Sequence, residues 1–510
     1  MKTAKSLAGV LILVLILSVS WSGQVGAAPA RGGNLTIGVD QEAVGLDPNL
    51  VTAFSSVARV GLMYNRLVRY DNDLDIIPDL AESWEIPDNL TYTFHLRKGV
   101  KFHDGAELTS EDVKFTLDRI LDPKTGSPAL SYLAPVKKVE APSRYEVTIR
   151  LKEPMASLLS VLASDNLSVV PKHAVEKQGN LQRVVVGTGP FKLADYVPDN
   201  YMKLVRNPNY FKPGEPYLDS VTFKVIPEQM SLLAAVRSRN LDMAAISEGG
   251  IIVQARRDSG LSVEQVPSLN ARTFGFNVTR APFNDERVRQ AVALALDREQ
   301  IIAAAEFGFG QPTGPVPASA KKWALPVSAF PSYERNIARA KQLLAEAGLP
   351  NGFAFSILCA ASYEGGLPVA QVIQSQLKQI GVTANLEVVE WGAYIDRWVK
   401  RDYQGIVELR GGGADPDRFL YRMLHSTGSV NNFLFKNAQV DELLEKGRSA
   451  VDYKTRKNVY DAAQKLIVEK APVIFLYVGN ENAAMQKYVK GFNVMPNGAL
   501  YYLEETWLDK

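Results

Sequence analysis

The stretch TFGFNVTRAPFNDERVRQAVALALDREQII, residues 273–302, decides how the chain is organised. Phe274 and Phe276 alternate with small or polar neighbours, which is typical of a short strand. Pro282 interrupts this strand, and Asn284 then stands where a helix N-cap belongs, ahead of two acidic residues that suit the helix dipole. Apolar residues follow at helical spacing. A strand that leads into a helix in this way predicts the passage from one lobe of a two-lobed α/β protein to the other.

The first 28 residues have the pattern of a secretory signal peptide. Lys2 and Lys5 precede an apolar run at 7–19 that is short for a membrane span, and residues 26–28 are small, as signal peptidase requires. This region contains no cysteine, which argues against a lipid anchor. We therefore expect a periplasmic protein that is free of the membrane.

Length and charge narrow the class of protein further. A chain of 510 residues predicts two to four domains. Removal of residues 1–28 takes away Lys2 and Lys5 and no acid, so the formal charge of +2 falls by 2 to about zero. A neutral chain argues against nucleic acid or an anionic membrane surface as partner. The single cysteine, Cys359, cannot form an internal disulfide, and its apolar neighbours predict a buried side chain.

Before the opening stretch, the sequence predicts several elements with their boundaries. Residues 34–39 alternate as a strand, and residues 54–70 have a helical pattern. Thr109 and Asp112 resemble a capping box at the start of a helix. Two glycines and a proline within residues 187–191 predict a sharp turn.

After the opening stretch, the pattern alternates between strands and helices. Strands predicted at 353–358 and 386–389 flank a helix at 369–380, and this order predicts a βαβ unit with a right-handed crossover. A further short strand at 406–409 leads into a glycine-rich loop at 411–417. Glycines in such a loop let a ligand approach the backbone and its N–H donors closely.

Several separated blocks together carry a family likeness. They resemble, in this order, the extracellular solute-binding proteins of ABC importers of the peptide/nickel class (family 5). The blocks are PDLAESWEI, LRKGVKFHDGAELTSEDVKFTLDRI, GTGPFKL, FNDERVRQAVALALDREQII and ADPDRF. The resemblance implies a two-lobed periplasmic-binding-protein fold of type II, in the large class with an extra subdomain. It also implies a monomer that hands a small-molecule or peptide ligand to an ABC permease and its ATPase subunits at the inner membrane.

The resemblance also implies how the chain is divided. The expected segments are 1–28 for the signal peptide, 29–60, 187–275 and 479–510 for lobe I, 61–186 for its extra subdomain and 276–478 for lobe II. Two strands that cross between the lobes would form the hinge. Its expected residues are Phe274, Phe276, Leu476 and Tyr477. Ligand would sit between the lobes, and closure would bury it.

Dipeptide-binding members of the family hold the amino terminus with an aspartate in the glycine-loop region and the carboxylate with an arginine upstream. The aspartate position corresponds to Gly412, and the arginine position falls near Ala360 or Ala361. Both charges of this clamp are missing here. A peptide or peptide-like solute is the first hypothesis, and an oligosaccharide or other non-peptide solute is the alternative.

Arg410, next to Gly411 and Gly412, is the charged ligand-binding candidate that remains. It has two interpretations of equal weight: it pairs with a ligand carboxylate or phosphate, or it forms an internal salt bridge. Asp415 is predicted to be structural, because it precedes the Pro416 helix start.

Four further residues are ligand-binding candidates. Trp391 opens a helix and would offer a stacking platform to a sugar ring or an apolar side chain, although core packing is the alternative. Asn432 and Phe433 lie in a loop that approaches ligand in family members. Glu42 follows the first strand and is a further candidate.

Catalytic and metal sites have no support in the sequence. The four histidines, His95, His103, His173 and His425, show no metal-binding spacing, and no cysteine pair is present. We expect no cofactor and no metal. The chain lacks a Gly-x-Ser-x-Gly elbow and a His-Glu-x-x-His motif, so the sequence favours a binding protein over a secreted hydrolase.

Overall fold

The structure of the protein is a computed structural model that describes residues 29–360 and 366–510. The predicted signal peptide at 1–28 lies outside the described residues. Among the helices that are described, none combines the length and apolar character needed to cross a membrane. The described chain contains both strands and helices throughout, as the sequence predicts.

The described residues form nineteen strands and fourteen α-helices. The strands are β1 (Asn34–Val39), β2 (Val68–Tyr70), β3 (Ile76–Pro78), β4 (Ala81–Asp88), β5 (Thr91–Leu96), β6 (Val136–Ser143), β7 (Glu146–Leu151), β8 (Phe191–Val197), β9 (Tyr201–Arg206), β10 (Ser220–Val225), β11 (Met243–Ala245), β12 (Leu261–Phe276), β13 (Gln311–Pro312), β14 (Ala354–Ala360), β15 (Thr383–Val389), β16 (Gly405–Arg410), β17 (Val473–Gln486), β18 (Val489–Lys490) and β19 (Trp507–Leu508). The helices are α1 (Phe54–Val60), α2 (Ser110–Leu121), α3 (Leu158–Leu162), α4 (Lys172–Gln178), α5 (Gln229–Arg237), α6 (Gly249–Arg256), α7 (Glu286–Ala295), α8 (Arg298–Ala305), α9 (Ile337–Glu346), α10 (Gly366–Leu377), α11 (Trp391–Lys400), α12 (Asp417–Leu424), α13 (Ala438–Ser449) and α14 (Tyr453–Lys470).

One sheet of eleven strands runs through most of the described chain, in the order β15-β14-β16-β12-β17-β11-β1-β10-β9-β8, with β13 paired to β17. Its two ends contain parallel pairs: β14 pairs with β15 and β16, and β1 pairs with β10 and β11. The long antiparallel pair of β12 and β17 joins these ends. A separate four-stranded antiparallel sheet has the order β4-β5-β7-β6.

Three large hydrophobic cores surround these sheets. The C-terminal core contains buried side chains from Leu269 to Val478. The small-sheet core contains buried side chains between Leu67 and Val169, together with Ala414 and a few residues near the C-terminus. The N-terminal core packs around β1 and β10. Strands β12 and β17 each pass from the C-terminal core toward the N-terminal region, so they connect otherwise separate packing units.

The opening stretch has the predicted element types but different boundaries. Phe274 and Phe276 lie on a strand, and this strand begins as early as Leu261 because β12 pairs with β17 along most of its length. The predicted N-cap at Asn284 is wrong, since Asp285 caps α7 by accepting a hydrogen bond from the Arg287 backbone N–H at 2.8 Å. An Asp at this position serves the same physical purpose.

The helix predicted at residues 54–70 is only partly correct. Helix α1 ends at Val60, and residues 68–70 form a strand. Between them, Asn65 donates a side-chain hydrogen bond to Asp79 at 3.0 Å, and the Arg66 backbone N–H donates to the same carboxylate at 3.0 Å. These tertiary hydrogen bonds outweigh the local helical pattern.

Other local predictions are confirmed. The capping box of Thr109 and Asp112 is present at the start of α2. The βαβ unit is also present, since β14 and β15 are parallel and α10 lies between them in the chain. Gly381 ends this helical segment with a positive φ of 78°, which glycine adopts without strain.

The predicted turn at residues 187–191 packs tightly against the chain beside α1. A Cβ atom at Gly187 would lie 2.0 Å from the Met63 carbonyl oxygen, so only glycine fits. The ring of His103 contacts this turn through the Gly187 N–H at 3.4 Å and the Gly189 carbonyl at 3.2 Å. Burial lowers the pKa of His103 to about 4. The imidazole is therefore neutral in the folded protein at neutral pH.

Because His103 is buried and neutral, we expect the folded protein to lose stability in mild acid. An unfolded chain takes up a proton on His103 below its ordinary pKa of about 6.5, whereas the folded chain does so only near pH 4. The free energy of unfolding should therefore fall by on the order of 2–3 kcal/mol between pH 6.5 and 4 through this group. Urea unfolding across this range should show a shallower decline for His103→Gln than for wild type. The exposed His173 is the matched control, and an identical pH dependence in His103→Gln would contradict the assignment.

Candidate functional site

A cavity of about 420 Å³ lies where the C-terminal core meets the other two large cores. One wall is formed by the segment 51–57, Tyr132 and residues 163–166. The opposite wall is formed by residues 269–270, by the loop at 410–414 and by α12. A second cavity of about 380 Å³ shares Tyr70 and Ala414 with the first, so the two cavities lie on either side of these residues.

The glycine loop is in van der Waals contact with β12. A Cβ atom at Gly412 would lie 2.0 Å from the Leu269 carbonyl oxygen and 2.7 Å from Cγ of Pro317. Both distances are far shorter than a normal van der Waals contact, and the Leu269 oxygen belongs to the backbone. Gly412 thus has a physical reason to lack a side chain, and the aspartate that would hold a ligand amino terminus cannot be accommodated in this arrangement.

Asp415 anchors the loop, in line with the structural role predicted for it. Its two carboxylate oxygens accept hydrogen bonds from both terminal nitrogens of Arg456 at 2.9 Å, and Oδ1 also accepts the Asp417 backbone N–H at 3.0 Å. The Arg456 guanidinium lies 4.9 Å from the ring centroid of Trp323. Both members of the pair are buried, so the end of the loop is fixed to α14.

Arg410 combines features of both predicted roles. It borders the cavity, and its Nε donates to Glu408 at 2.7 Å while Nη2 donates to the Asn432 side chain. Its guanidinium lies between the rings of Trp398 and Phe433, at 5.3 Å and 5.1 Å from their centroids. An internal salt bridge therefore holds this arginine at the edge of the cavity.

Asn432 and Phe433 lie behind Arg410 and not among the residues that line the cavity. Asn432 is buried, and its Nδ2 donates to the Tyr403 hydroxyl at 3.0 Å. Phe433 is fully buried in the C-terminal core. The structure therefore places these two candidates where they support Arg410.

Trp391 and Glu42 are also placed away from this cavity. The indole of Trp391 is 43% exposed and stacks on Tyr394, with ring centroids 5.4 Å apart. It borders a smaller cavity of about 140 Å³ that includes Arg410. Glu42 accepts hydrogen bonds from the Tyr196 hydroxyl and from the Asp199 N–H, and the tyrosine bond lowers the pKa of its carboxyl.

The four expected hinge residues are buried on β12 and β17 inside the C-terminal core: Phe274, Phe276, Leu476 and Tyr477. The ladder between the two strands shifts register at two points. Arg272 pairs with Tyr477 and Thr273 pairs with Phe475, so Leu476 has no paired residue on β12 and this shift lies among the expected hinge residues. The other shift is larger. Pro267 pairs with Asn480 and Ala271 pairs with Val478, so residues 268–270 lie opposite Gly479 alone. This irregular segment is also the part of β12 that borders the cavity.

Asp165 is the carboxylate that borders the cavity among the described lining residues. It accepts a hydrogen bond from the buried Arg66, which also lies 3.7 Å from Asp79. Burial is the largest effect on Asp165 and raises the pKa of its carboxyl despite the nearby arginine. The Asp165 carboxylate is thus hydrogen-bonded to an arginine of its own wall.

Several cavity residues were not predicted from the sequence, most notably Tyr132, Arg418 and Arg422. The two arginines are four positions apart on a helix that follows an Asp-Pro start, so the sequence alone is enough to place them on one face of this helix. Tyr132 carries no local signal, because Arg422, to which it is hydrogen-bonded, is 290 positions away in the chain.

Metal-binding side chains do not cluster in residues 29–360 and 366–510: no group of three or more His, Cys, Asp or Glu residues there could hold an ion. His425, the histidine nearest the glycine loop in sequence, stacks on Tyr421 at 4.1 Å and contacts Glu445 at 3.2 Å. Its neighbours are those of a structural side chain.

Comparison with known proteins agrees with this architecture. The model of bacterial extracellular solute-binding proteins, family 5 Middle, matches residues 75–431. The oligopeptide-binding protein AppA of Bacillus subtilis (strain 168) is 30% identical and covers 100% of this chain and 99% of its own. Heme-binding protein A of Haemophilus influenzae is 32% identical, with 89% of each chain covered.

A solved structure gives the same result for the fold. The periplasmic binding protein DppA of Helicobacter pylori, in complex with the peptide STSA, has a TM-score of 0.80 and 29% identity, covering 94% of this chain and 99% of that one. The fold is the two-lobed α/β fold of periplasmic binding proteins that the resemblance implied. The chain belongs to family 5 of the bacterial extracellular solute-binding proteins, the binding components of peptide ABC importers.

Proposed function

We propose that this protein binds a peptide or peptide-like solute in the 420 Å³ cavity and delivers it to a membrane permease with its ATPase subunits. The observation that carries the proposal is a cavity whose walls come from different cores. Its volume lies within the roughly 300–1,000 Å³ of small-ligand sites. Similarity to a named oligopeptide-binding protein along the whole chain supports a peptide as the solute.

The oligosaccharide alternative is motivated by the missing charges of the dipeptide clamp, and Trp391 is the stacking platform that a sugar would use. Trp391 lies outside the residues that line the main cavity, and the relatives reported above include an oligopeptide-binding protein. A peptide therefore has the better support. Haem has less support, because the described residues that line the cavity include no histidine or cysteine; the side chains there that could serve as an axial ligand to a haem iron are Met423, Tyr70 and Tyr132.

The protein acts in the periplasm as a monomer, after removal of residues 1–28, and it releases its solute unchanged. Membership of a family of binding proteins supports the absence of catalysis. A relative described as a periplasmic binding protein supports the compartment. The near-zero charge of residues 29–510 argues against a nucleic-acid partner.

The division into lobes follows the cores. Lobe II at 276–478 is supported by the C-terminal core, and the extra subdomain at 61–186 is supported by the small-sheet core. The hinge lies where the β12–β17 ladder is irregular, at residues 267–271 opposite 478–480 and again at Arg272 and Thr273, beside the expected hinge residues Phe274, Phe276, Leu476 and Tyr477. A ligand that contacts both lobes favours closure by its differential contacts with the closed state.

Binding should be visible as thermal stabilisation by peptides. A peptide pool present at a hundred times its Kd should stabilise the folded protein by about 2.7 kcal/mol and raise Tm by several degrees. Differential scanning fluorimetry with tetrapeptide pools, oligosaccharide pools and haemin separates the three classes. Mass spectrometry of the recovered peptides should show unchanged masses.

Three results would count against the proposal. A rise in Tm with oligosaccharides alone would support the alternative solute, and one with haemin alone would support haem. Cleavage products in the recovered peptides would revive the hydrolase hypothesis.

A further inference from the structure

We propose that Arg418 and Arg422 of α12, together with Tyr132, form a subsite for an oxyanion at one end of the cavity, and that this subsite selects solutes by their carboxylate. The inference rests on the proposed function, because it concerns the solute held in the same cavity. It adds the chemical class of the group that is recognised and the end of a peptide that must be free.

The three side chains converge across the cavity. Arg418 and Arg422 lie on one face of α12, four positions apart. Their guanidinium carbons lie 5.1 Å and 4.8 Å from the ring centroid of Tyr132, and Nη1 of Arg422 donates to the Tyr132 hydroxyl at 2.6 Å. Tyr132 belongs to the opposite wall, so the subsite is complete only when the two walls are close together.

The two arginines lack the carboxylate partner that such a pair usually has. Within the described chain, no Asp or Glu oxygen lies within 4.0 Å of either guanidinium, although Nε of Arg422 does donate to Ser429 at 3.2 Å. Arg410 differs, because Glu408 neutralises it at 2.7 Å. Two adjacent positive charges repel one another, and an anion bound between them would remove this cost.

The direction of the Tyr132 pKa shift is consistent with the positive charge of these two arginines. Burial opposes ionisation of its phenol, yet the two arginines outweigh burial and leave the pKa of Tyr132 below its usual value. Asp165, the carboxylate on the same wall, is hydrogen-bonded to Arg66, and the charge of Arg418 also acts to lower the pKa of its carboxyl against the effect of burial. The cavity is therefore positive near α12, and its Asp165 carboxylate is already paired.

A free peptide meets these conditions with its C-terminal carboxylate, or with an acidic side chain. Two guanidinium groups present a fork of N–H donors that matches the geometry of a carboxylate. The opposite end of the peptide meets no matching acid, since Gly412 has no room for a side chain and Asp165 is already paired. Binding should thus depend on the carboxyl end and tolerate a blocked amino end.

The experiment uses random tetrapeptide pools on the full-length mature protein, with retention measured by native mass spectrometry. The pools are free acids, C-terminal amides, N-acetylated acids, and C-terminal amides with one aspartate. Free acids and N-acetylated acids should be retained alike, and plain amides should bind about 10- to 100-fold more weakly, the usual contribution of hydrogen bonds to a charged group. If the aspartate-containing amides are retained as well as the free acids, a side-chain carboxylate is a second source of the oxyanion.

Variants test the assignment to these residues. Arg418→Gln with Arg422→Gln should abolish the preference for acids over amides, while Arg339→Gln, an exposed arginine on α9, should preserve it. Equal retention of acids and amides by wild type would overturn the subsite alone, and this comparison needs no variant to fold. Failure of all four pools to bind would overturn the proposed function, and the subsite with it.

Discussion

Replacing Arg456 by methionine is expected to lower the free energy of unfolding by about 3–5 kcal/mol, because it leaves the carboxylate of Asp415 buried without its partner. Arg456 donates two hydrogen bonds to Asp415 at 2.9 Å and one to the Gly447 carbonyl at 3.0 Å. Methionine has no guanidinium, so it also loses the hydrogen bond to Gly447 and the cation–π contact with Trp323, but the broken buried charge pair is the largest part of the change. Urea unfolding at neutral pH measures it.

The same substitution should weaken solute binding, since Asp415 holds the end of the glycine loop that borders the cavity. Asp415→Asn combined with Arg456→Met should lose less stability than Arg456→Met alone, because no charge is then left unpaired. Lys400→Met is the control: its pair with Asp396 is exposed, so the change should stay within about 0.5 kcal/mol. A loss below 1 kcal/mol in Arg456→Met would show that the buried pair is not what fixes the loop.

Gly412→Ala is the second large effect that we expect. The added methyl group would lie 2.0 Å from the Leu269 carbonyl oxygen, so the loop and β12 must move apart. Overpacking of this kind costs about 1–3 kcal/mol and displaces backbone. We expect a corresponding fall in the free energy of unfolding, together with weaker binding of peptide acids, because both moved segments line the cavity.

Its neighbour provides a matched control. A Cβ atom at Gly411 has its nearest heavy atom at 3.7 Å, an ordinary contact with Asn270. Gly411→Ala should therefore change stability by no more than about 0.5 kcal/mol. Equal tolerance of alanine at both positions would mean that the loop does not rest on Leu269 as described.

Local sequence signals are sufficient to predict many of the helices, strands and turns of the fold. The capping box at Thr109 and Asp112 and the glycine stop at Gly381 each depend on a few neighbouring residues, and both were predicted. The length of β12 was underestimated, because most of this strand is specified by its pairing with β17, about 200 residues away in the chain. The strand at residues 68–70 was missed for the same reason, since tertiary hydrogen bonds to Asp79 redirect the chain before it.

The site was predictable only where a local pattern marks it. The glycines at 411–413 and Arg410 were identified from their loop, and they do border the cavity. Trp391 is an aromatic residue at a helix start, which predicts an exposed stacking platform, but helical periodicity cannot tell which of two cavities the helix faces. Tyr132 and Arg422 are 290 positions apart in the chain, so neither segment by itself predicts that the two side chains are in contact.

We propose that a peptide binds between the two lobes, against the glycine loop, with its carboxylate toward α12. A crystal structure of the mature protein with a tetrapeptide acid tests this most directly. Our account predicts peptide density in the 420 Å³ cavity, in contact with residues 411–414 and with the carboxylate between Arg418 and Arg422. Peptide bound outside this cavity, or bound in it with the carboxylate far from both arginines, would contradict the account.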